Sequence, residues 1–394
     1  MICPFAEQAV EEAVKHGNAI LKYISPNDVG QTGGHQCGYY LPKAIWKHFT
    51  VNPPVKGENA EQFVTISWQN GSESSSRIIW YGKGTRSEYR LTRFGKDFPF
   101  LTHDSVGNLL VLIKTAAETF HAFVVYADDD IEELQARLSI EIIGTWAHYN
   151  AEKSELEFEY SHETEDECLN RQFRSFCQLL DSYPSGNSFS EATRAALLHC
   201  IQGYCSLSPD DKLMRCLESE YELFRMAERK ICGPDVRRLF QSVDDFLGTA
   251  NSILQRRKSR AGLALENHVE MLLTEAGVPF DAQPGPTVGR IDVIIPGKRE
   301  YLDSAFPVEK LVAVGIKTTC KDRWAQVLKE APRVKKKHIL TTQKGISESQ
   351  LKEMHEAGVT LIVPKSLQKL YTTKQSGMNI LSLGDFIAGA PRNG

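Results

Sequence analysis

Asp292 and Lys317 are ionisable residues set in apolar runs. Asp292 lies inside Arg290-Ile-Asp-Val-Ile-Ile295, and Lys317 ends Leu311-Val-Ala-Val-Gly-Ile-Lys317. Both runs predict buried strands. A charge buried there needs a partner or an ion. An acid on one strand and a lysine at the end of the next form the skeleton of metal-dependent phosphodiester hydrolysis. The carboxylate holds Mg²⁺, and the lysine neutralises phosphate charge or orients the attacking water. A plain buried Asp–Lys ion pair is the competing reading, and spacing alone does not separate the two. The usual motif has a second acid two residues before the lysine, but that position is Gly315, which ligates nothing. Glu330 is the expected replacement, on a helix after the lysine strand, with Leu328 and Ala331 on its packing face. Glu266, on a helix starting near Gly262, is a further candidate carboxylate.

Residues of this kind need layered elements to hold them, and the C-terminal half predicts such layers. Helical periodicity covers 190–204, 212–230, 234–257 and 262–276. The strands at 290–295, 311–317, 338–342 and 359–363 alternate with short helices, including one at 347–357, which predicts a mixed α/β domain. From about residue 28 to 127 the chain reads differently. Phe63-Val-Thr-Ile-Ser-Trp68, Arg77-Ile-Ile-Trp-Tyr81, Leu109-Leu-Val-Leu-Ile113 and the run 120–126 are short β-rich segments separated by Gly, Asn and Asp. They predict a sandwich or barrel. Between the two halves, Asp128 to Glu167 holds 14 Asp/Glu and only Arg137 and Lys153 as basic residues, and it predicts a hinge. The first residues predict an amphipathic helix.

With 394 residues, 41% hydrophobic and 24% charged, the chain is an ordinary globular one of two or three domains, not a disordered or fibrous one. Its net charge of −4 does not by itself point to nucleic acid. That sum covers unlike parts. Between Arg77 and Lys96 there are six basic residues and one acid, Glu88, interleaved with Tyr81, Tyr89 and Phe94. That ribbon suits a DNA cleft. Arg256, Arg257, Lys258 and Arg260 precede the Glu266 helix and suit phosphate contacts; a solvated charge run is the plainer alternative. Arg333 with Lys335 to Lys337 is a second run that nothing ties to a cleft. Lys321, Asp322 and Arg323 suit G·C edges, since Arg or Lys donates to guanine and Asp accepts from cytosine. Trp324 beside them reads as a packing residue. No apolar run reaches the ~18 residues of a membrane span. The start has early acids and no basic leader, and the nine irregularly spaced cysteines suit thiols in a reducing bacterial cytoplasm. No C-x-x-C occurs, so a structural zinc site is not expected.

The string Lys317-Thr-Thr-Cys-Lys-Asp-Arg-Trp324, followed by Ala-Gln-Val-Leu-Lys-Glu330, resembles the EcoRII-type (Type IIE) restriction endonucleases. The likeness extends to 252–262, Leu265-Glu-Asn-His268, Phe306-Pro-Val-Glu309 and 358–367. In the N-terminal part it takes in 28–42 and Thr85-Arg-Ser-Glu-Tyr-Arg-Leu-Thr-Arg-Phe-Gly95. The resemblance implies a β-rich N-terminal effector domain of the plant B-three-like pseudobarrel type over 1–165. A linker over 166–183 and an α/β restriction-endonuclease-like catalytic domain over 184–394 would follow. It implies Asp292, Lys317, Glu330 and Glu266 as the catalytic set, with Asp292 and Glu330 on Mg²⁺. Lys321, Asp322 and Arg323 would read the target. His35, Tyr40, Lys83, Arg86, Glu88 and Arg90 would be the effector contacts. It further implies a homodimer on double-stranded DNA, two copies of a CCWGG-like site, an effector domain that blocks the catalytic cleft when empty, and a cognate cytosine methyltransferase. The sequence departs from the family pattern in three places. Ile291, not Pro, precedes the catalytic Asp; Tyr89 stands at a basic position; and Arg215-Cys-Leu-Glu-Ser-Glu-Tyr221 lacks an arginine-rich turn. A non-catalytic DNA-binding regulator and a structure-specific repair nuclease are the rival readings. Retention of the three catalytic residues weighs against the first, and the reading triplet against the second.

Overall fold

The computed structural model describes residues 2–31, 37–84, 86–151, 165–373 and 376–392. It comprises two compact units. The first holds Met1–Leu156, Lys344–Glu353 and Lys369–Gly377; the second holds Glu157–Gln343, Met354–Gln368 and Met378–Gly394.

The first unit is built on an eight-stranded sheet. Its strands are β1 (Asn18–Tyr23), β2 (Tyr39–Leu41), β3 (Asn59–Trp68), β4 (Glu73–Tyr81), β5 (Glu88–Thr92), β6 (Leu109–Ala116), β7 (Thr119–Val125) and β8 (Trp146–Asn150), in the order β2-β5-β4-β3-β7-β6-β1-β8. Strands β3 and β7 pair in parallel, and the other neighbours are antiparallel. Both faces of β6 are covered, which is why it reads as a continuous apolar run rather than an alternating one. Leu110 and Leu112 enter an aromatic core with Tyr39, Trp68, Trp80 and Phe120. Leu109, Val111 and Ile113 pack with Ala6, Ala9 and Ala13 of α1 (Pro4–His16) and with Ile131 and Leu134 of α2 (Asp128–Leu138). The acidic stretch therefore begins as structure, not as a hinge. Asp128, Asp129 and Asp130 occupy the first turn of α2, where the helix dipole favours negative charge. Strand β8 follows and pairs with β1.

The second unit carries a six-stranded sheet in the order β14-β13-β12-β11-β10-β9. The strands are β9 (Asp281–Ala282), β10 (Val293–Ile295), β11 (Val312–Lys317), β12 (Lys337–Thr341), β13 (Val359–Ile362) and β14 (Ile380–Leu381). From β11 to β14 the pairing is parallel, while β9, β10 and β11 pair antiparallel. The segment expected as a linker carries α3 (Glu165–Gln178), whose Leu169 and Phe173 pack with Phe189 of α4 (Gly186–Cys200) and Phe224 of α5 (Pro209–Arg237). Helices expected at 234–257 and 262–276 are one, α6 (Val243–Glu275). Gly262 sits inside it facing open space, and Pro234 belongs to the end of α5. Ser242 caps α6, its hydroxyl accepting from Asp245 N at 3.1 Å. Leu213, Leu217, Leu265, Val269 and Leu272 bury α5 and α6 against Val293, Val314, Ile316 and Leu340 of the sheet. Cys168 and Cys200, expected as thiols, form a disulfide between α3 and α4, whose packing brings their Cα atoms to 5.6 Å. Among the described residues no helix is long and apolar enough to cross a membrane.

Candidate active site and nucleic-acid interface

Strands β10 and β11 pair with Val293 opposite Val314, so the residue before β10 meets the end of β11. Lys317 Nζ donates to Asp292 Oδ2 at 2.7 Å, and Ile316 N donates to the same oxygen at 2.6 Å. Asp292 is only 5% exposed. A Cβ on Gly315 would lie 3.0 Å from Val327 Cγ2, so an acid at the usual position would have to displace that side chain. The helix after Lys317 is short, Trp324–Val327, and Glu330 lies in the turn beyond it rather than on the expected helix. Glu330 N donates to Val327 O at 3.2 Å, and Ala331 then turns left-handed with φ 43°. Lys337, also buried, fixes this turn by donating to Ala331 O at 2.6 Å and to Val334 O. Its burial pushes the ammonium pKa down to about 8, against the pull of Glu330.

Glu266, Glu270 and Glu330 all feel the charge of Asp292, and Lys317 acts on Glu266, Glu330 and Asp292. Burial raises the pKa of Glu266, and the charge of Asp292 raises it further. Burial and then Asp292 act the same way on Glu270, one turn along α6. Glu330 is raised by burial and by Asp292, with Lys317 opposing. A divalent cation relieves such crowding. Glu330 Oε2 is buried without a hydrogen-bond partner, an acceptor suited to a cation. Among the described residues no three His, Cys, Asp or Glu side chains form a ready metal cluster. Mg²⁺, however, uses one or two carboxylates and keeps several waters. Asp292 and Glu330 fit that donor set. The four expected catalytic residues thus come together. Sequence reasoning missed Glu270, four residues after Glu266 on the same helix face. It also missed Gln283, whose amide donates to Glu266 and Asp292 and which had no sequence signal.

The expected DNA contacts divide by exposure. Lys321 is buried, Asp322 exposed and Arg323 half-buried, with its guanidinium donating to Thr319. In the basic run before Glu266, Arg260 is 7% exposed and lies over the rings of Tyr221 and Phe224, at 5.3 and 5.2 Å. Burial pushes its pKa down to about 9. Arg257 makes a two-pronged pair with Glu228 at 2.7 and 2.9 Å. Arg256 is exposed and lies over Tyr183, and Lys258 is exposed. Arg257 and Arg260 hold α5 to α6. A direct phosphate contact suits only Arg256 and Lys258 as they stand.

In the first unit, β2 and β5 place Tyr40 opposite Arg90. Arg90 Nε donates to Glu88 Oε1 at 3.0 Å, and Arg86 lies 5.1 Å over the Tyr81 ring. Lys83 and Arg86 are exposed on a loop held by Lys56, which donates to Gly84 O at 2.8 Å and Arg86 O at 2.9 Å. Gly82 is required there, since a Cβ would lie 2.2 Å from Glu58 O. Tyr89 is buried in the core, its hydroxyl donating to Asn52 O at 2.6 Å, so it faces away from Glu88 and Arg90. The loop before β2 is anchored by buried Asp28, which accepts from Lys22 and from Ser25 N and Tyr40 N at 2.7 Å. His35 lies outside the described residues.

A family model described as EcoRII C terminal matches residues 224–387, and one described as restriction endonuclease EcoRII, N-terminal, matches 13–149. The Type II restriction enzyme EcoRII of Escherichia coli is 33% identical over 402 residues, covering 98% of this chain and 96% of that protein. The Type II restriction enzyme SsoII of Shigella sonnei is 28% identical over 124 residues, 29% of this chain and 40% of that protein. Among solved structures, metal-depleted Ecl18kI in complex with uncleaved, modified DNA has a TM-score of 0.45 at 18% identity, over 58% of this chain and 83% of that one. A restriction endonuclease PspGI–substrate DNA complex has a TM-score of 0.43 at 16% identity, over 52% and 91%.

Proposed function

The chain belongs to the EcoRII family of Type II restriction endonucleases, and from that premise we propose that it makes Mg²⁺-dependent double-strand cuts at a short pseudopalindromic site with a CC/GG core, CCWGG in the first instance. The observation that carries the reading is the convergence of Asp292, Lys317, Glu330 and Glu266 at the edge shared by β10, β11 and α6. Asp292 and Glu330 would hold Mg²⁺, which when bound supplies charge to offset that developing on the phosphate. Lys317, held on Asp292, orients the attacking water and faces the phosphate. Water attacks phosphorus as one P–O ester bond breaks, its proton passing to solvent and the leaving sugar oxygen taking one up, while Glu266 assists from α6. Lys321, Asp322 and Arg323 read the C·G pairs, Lys321 once DNA draws it out of its buried position.

The N-terminal domain, 1–165, would bind a second copy of the site through His35, Tyr40, Lys83, Arg86, Glu88 and Arg90, and restrain the catalytic domain, 184–394, when empty. Two-strand cleavage calls for two active sites about a twofold axis, hence a homodimer. The turn between α5 and α6 supports it with an apolar patch. Leu239 is 95% exposed, and Val236, Val243, Phe246 and Leu247 are about half exposed or more. The protein acts in the bacterial cytoplasm, beside a methyltransferase that marks the same cytosine-containing site. Duplexes with one or two CCWGG copies test the reading. Cleavage of both strands at CCWGG, faster with two copies, is expected. A version lacking 1–165 that is no faster on one copy overturns the restraint.

A further inference from the structure

We propose that Gln283 is a positioning residue for the catalytic carboxylates: its side-chain amide ties Glu266 to Asp292 and sets where the two acids stand when the cation and the phosphate arrive. The inference rests on the nuclease reading above. Gln283 Nε2 has two hydrogens. It donates to Glu266 Oε2 at 3.3 Å and to Asp292 Oδ1 at 3.2 Å, so one amide spans two carboxylates that repel each other. It is neutral, and it therefore brings acids together without placing a fixed cation where a divalent ion must enter. Lysine in the same place would compete with that ion. Asp292 is then held on both sides: Lys317 and Ile316 N take Oδ2, and Gln283 takes Oδ1.

The backbone supports the assignment independently. Strand β9 pairs with β10, Ala282 opposite Val293, and Gln283 N donates to Asp292 O at 2.8 Å. The main chain of Gln283 is thus fixed beside Asp292. It is fixed in an unfavourable conformation, φ 45°, which glycine adopts freely and side-chain-bearing residues rarely do. Pro284 follows, and a residue before proline is ordinarily extended. A strained non-glycine residue at such a point is retained where the surroundings need its side chain. Gln283 is exposed at the rim of the site, so it fills no core space that would explain it. Ala331, just after Glu330, is left-handed as well, with φ 43°, so strained turns flank the acids on both sides.

The test uses full-length Gln283→Ala and Gln283→Met, the second nearly the same length but with no donor. One readout is calorimetric titration of the DNA-free protein with Ca²⁺. The other is kcat and KM for a CCWGG duplex with Mg²⁺. Both variants should bind Ca²⁺ more weakly and lose kcat, each by roughly tenfold, the lower range for a residue that orients metal ligands, with KM unchanged. Wild-type behaviour of Gln283→Met would reduce the role to filling space and overturn the proposal. A change in KM alone would make Gln283 a direct DNA contact and overturn it too. Failure of the wild-type enzyme to cut would sink the nuclease reading, while the Ca²⁺ titration still decides the role of Gln283.

Discussion

The two units treat charge in opposite ways. In the N-terminal unit several charges near the proposed effector surface are answered locally. Arg90 pairs with Glu88, Asp28 with Lys22, and Arg86 lies on Tyr81. In the catalytic unit Glu266, Glu270 and Glu330 crowd Asp292, and all three have pKa values raised by burial and by Asp292. A surface that reads DNA can be finished before DNA arrives. A centre that needs a cation is left electrostatically unfinished, and it gives up stability in the metal-free state.

The largest break in that contrast should come from Lys317→Ala. It removes the cation bonded to Asp292, and cleavage should fall by about 10³-fold or more with site-specific binding retained, read by gel shift beside a plasmid assay. Next, Phe246→Glu with Leu239→Glu should yield monomers by sedimentation and turn double-strand cuts into slow nicks. Unchanged mass would remove the α5–α6 turn from the dimer interface. On the reading side, Arg86→Ala should weaken effector-site binding and lower its salt slope by about one. Catalytic rate on the unrestrained enzyme should not change.

The smallest effect is on stability. A carboxyl whose native pKa is raised keeps its proton longer in the folded state than in the unfolded one. Stability therefore falls as pH rises from about 4.3 through the raised value. Glu330→Gln removes that loss. Metal-free Glu330→Gln should melt above wild type at neutral pH, the difference fading below about pH 4. Saturating Ca²⁺ should reverse the order, because wild type gains stability by binding the ion.

Much of this contrast was legible in the sequence. Asp292 and Lys317 stood out because charges are rare inside apolar strands, and the string after Lys317 fixed the family. The turn carrying Glu330 was not legible, since Ala331 adopts a left-handed conformation that alanine does not advertise. Nor was the division of labour in 256–260. Consecutive basic residues on a helix fan out over its faces, so Arg260 turns inward onto Tyr221 while Lys258 stays outside. Tyr89 is the converse case. Strand alternation sends it into the core between Glu88 and Arg90, where its hydroxyl donates to Asn52 O. Gln283 carried no pattern at all, because an amide becomes meaningful only once two distant acids are seen beside it.

On the proposed reading, the crowded acids of the second unit form a Mg²⁺-dependent, sequence-specific cutter. Plasmid DNA carrying several CCWGG sites, incubated with the protein and Mg²⁺ and then sequenced at its ends, tests it most directly, with Lys317→Ala alongside. Discrete double-strand ends are expected at sites with a CC/GG core, absent without Mg²⁺ and absent from Lys317→Ala. Binding without cuts, or ends tied to junctions or damage rather than to a sequence, would contradict it.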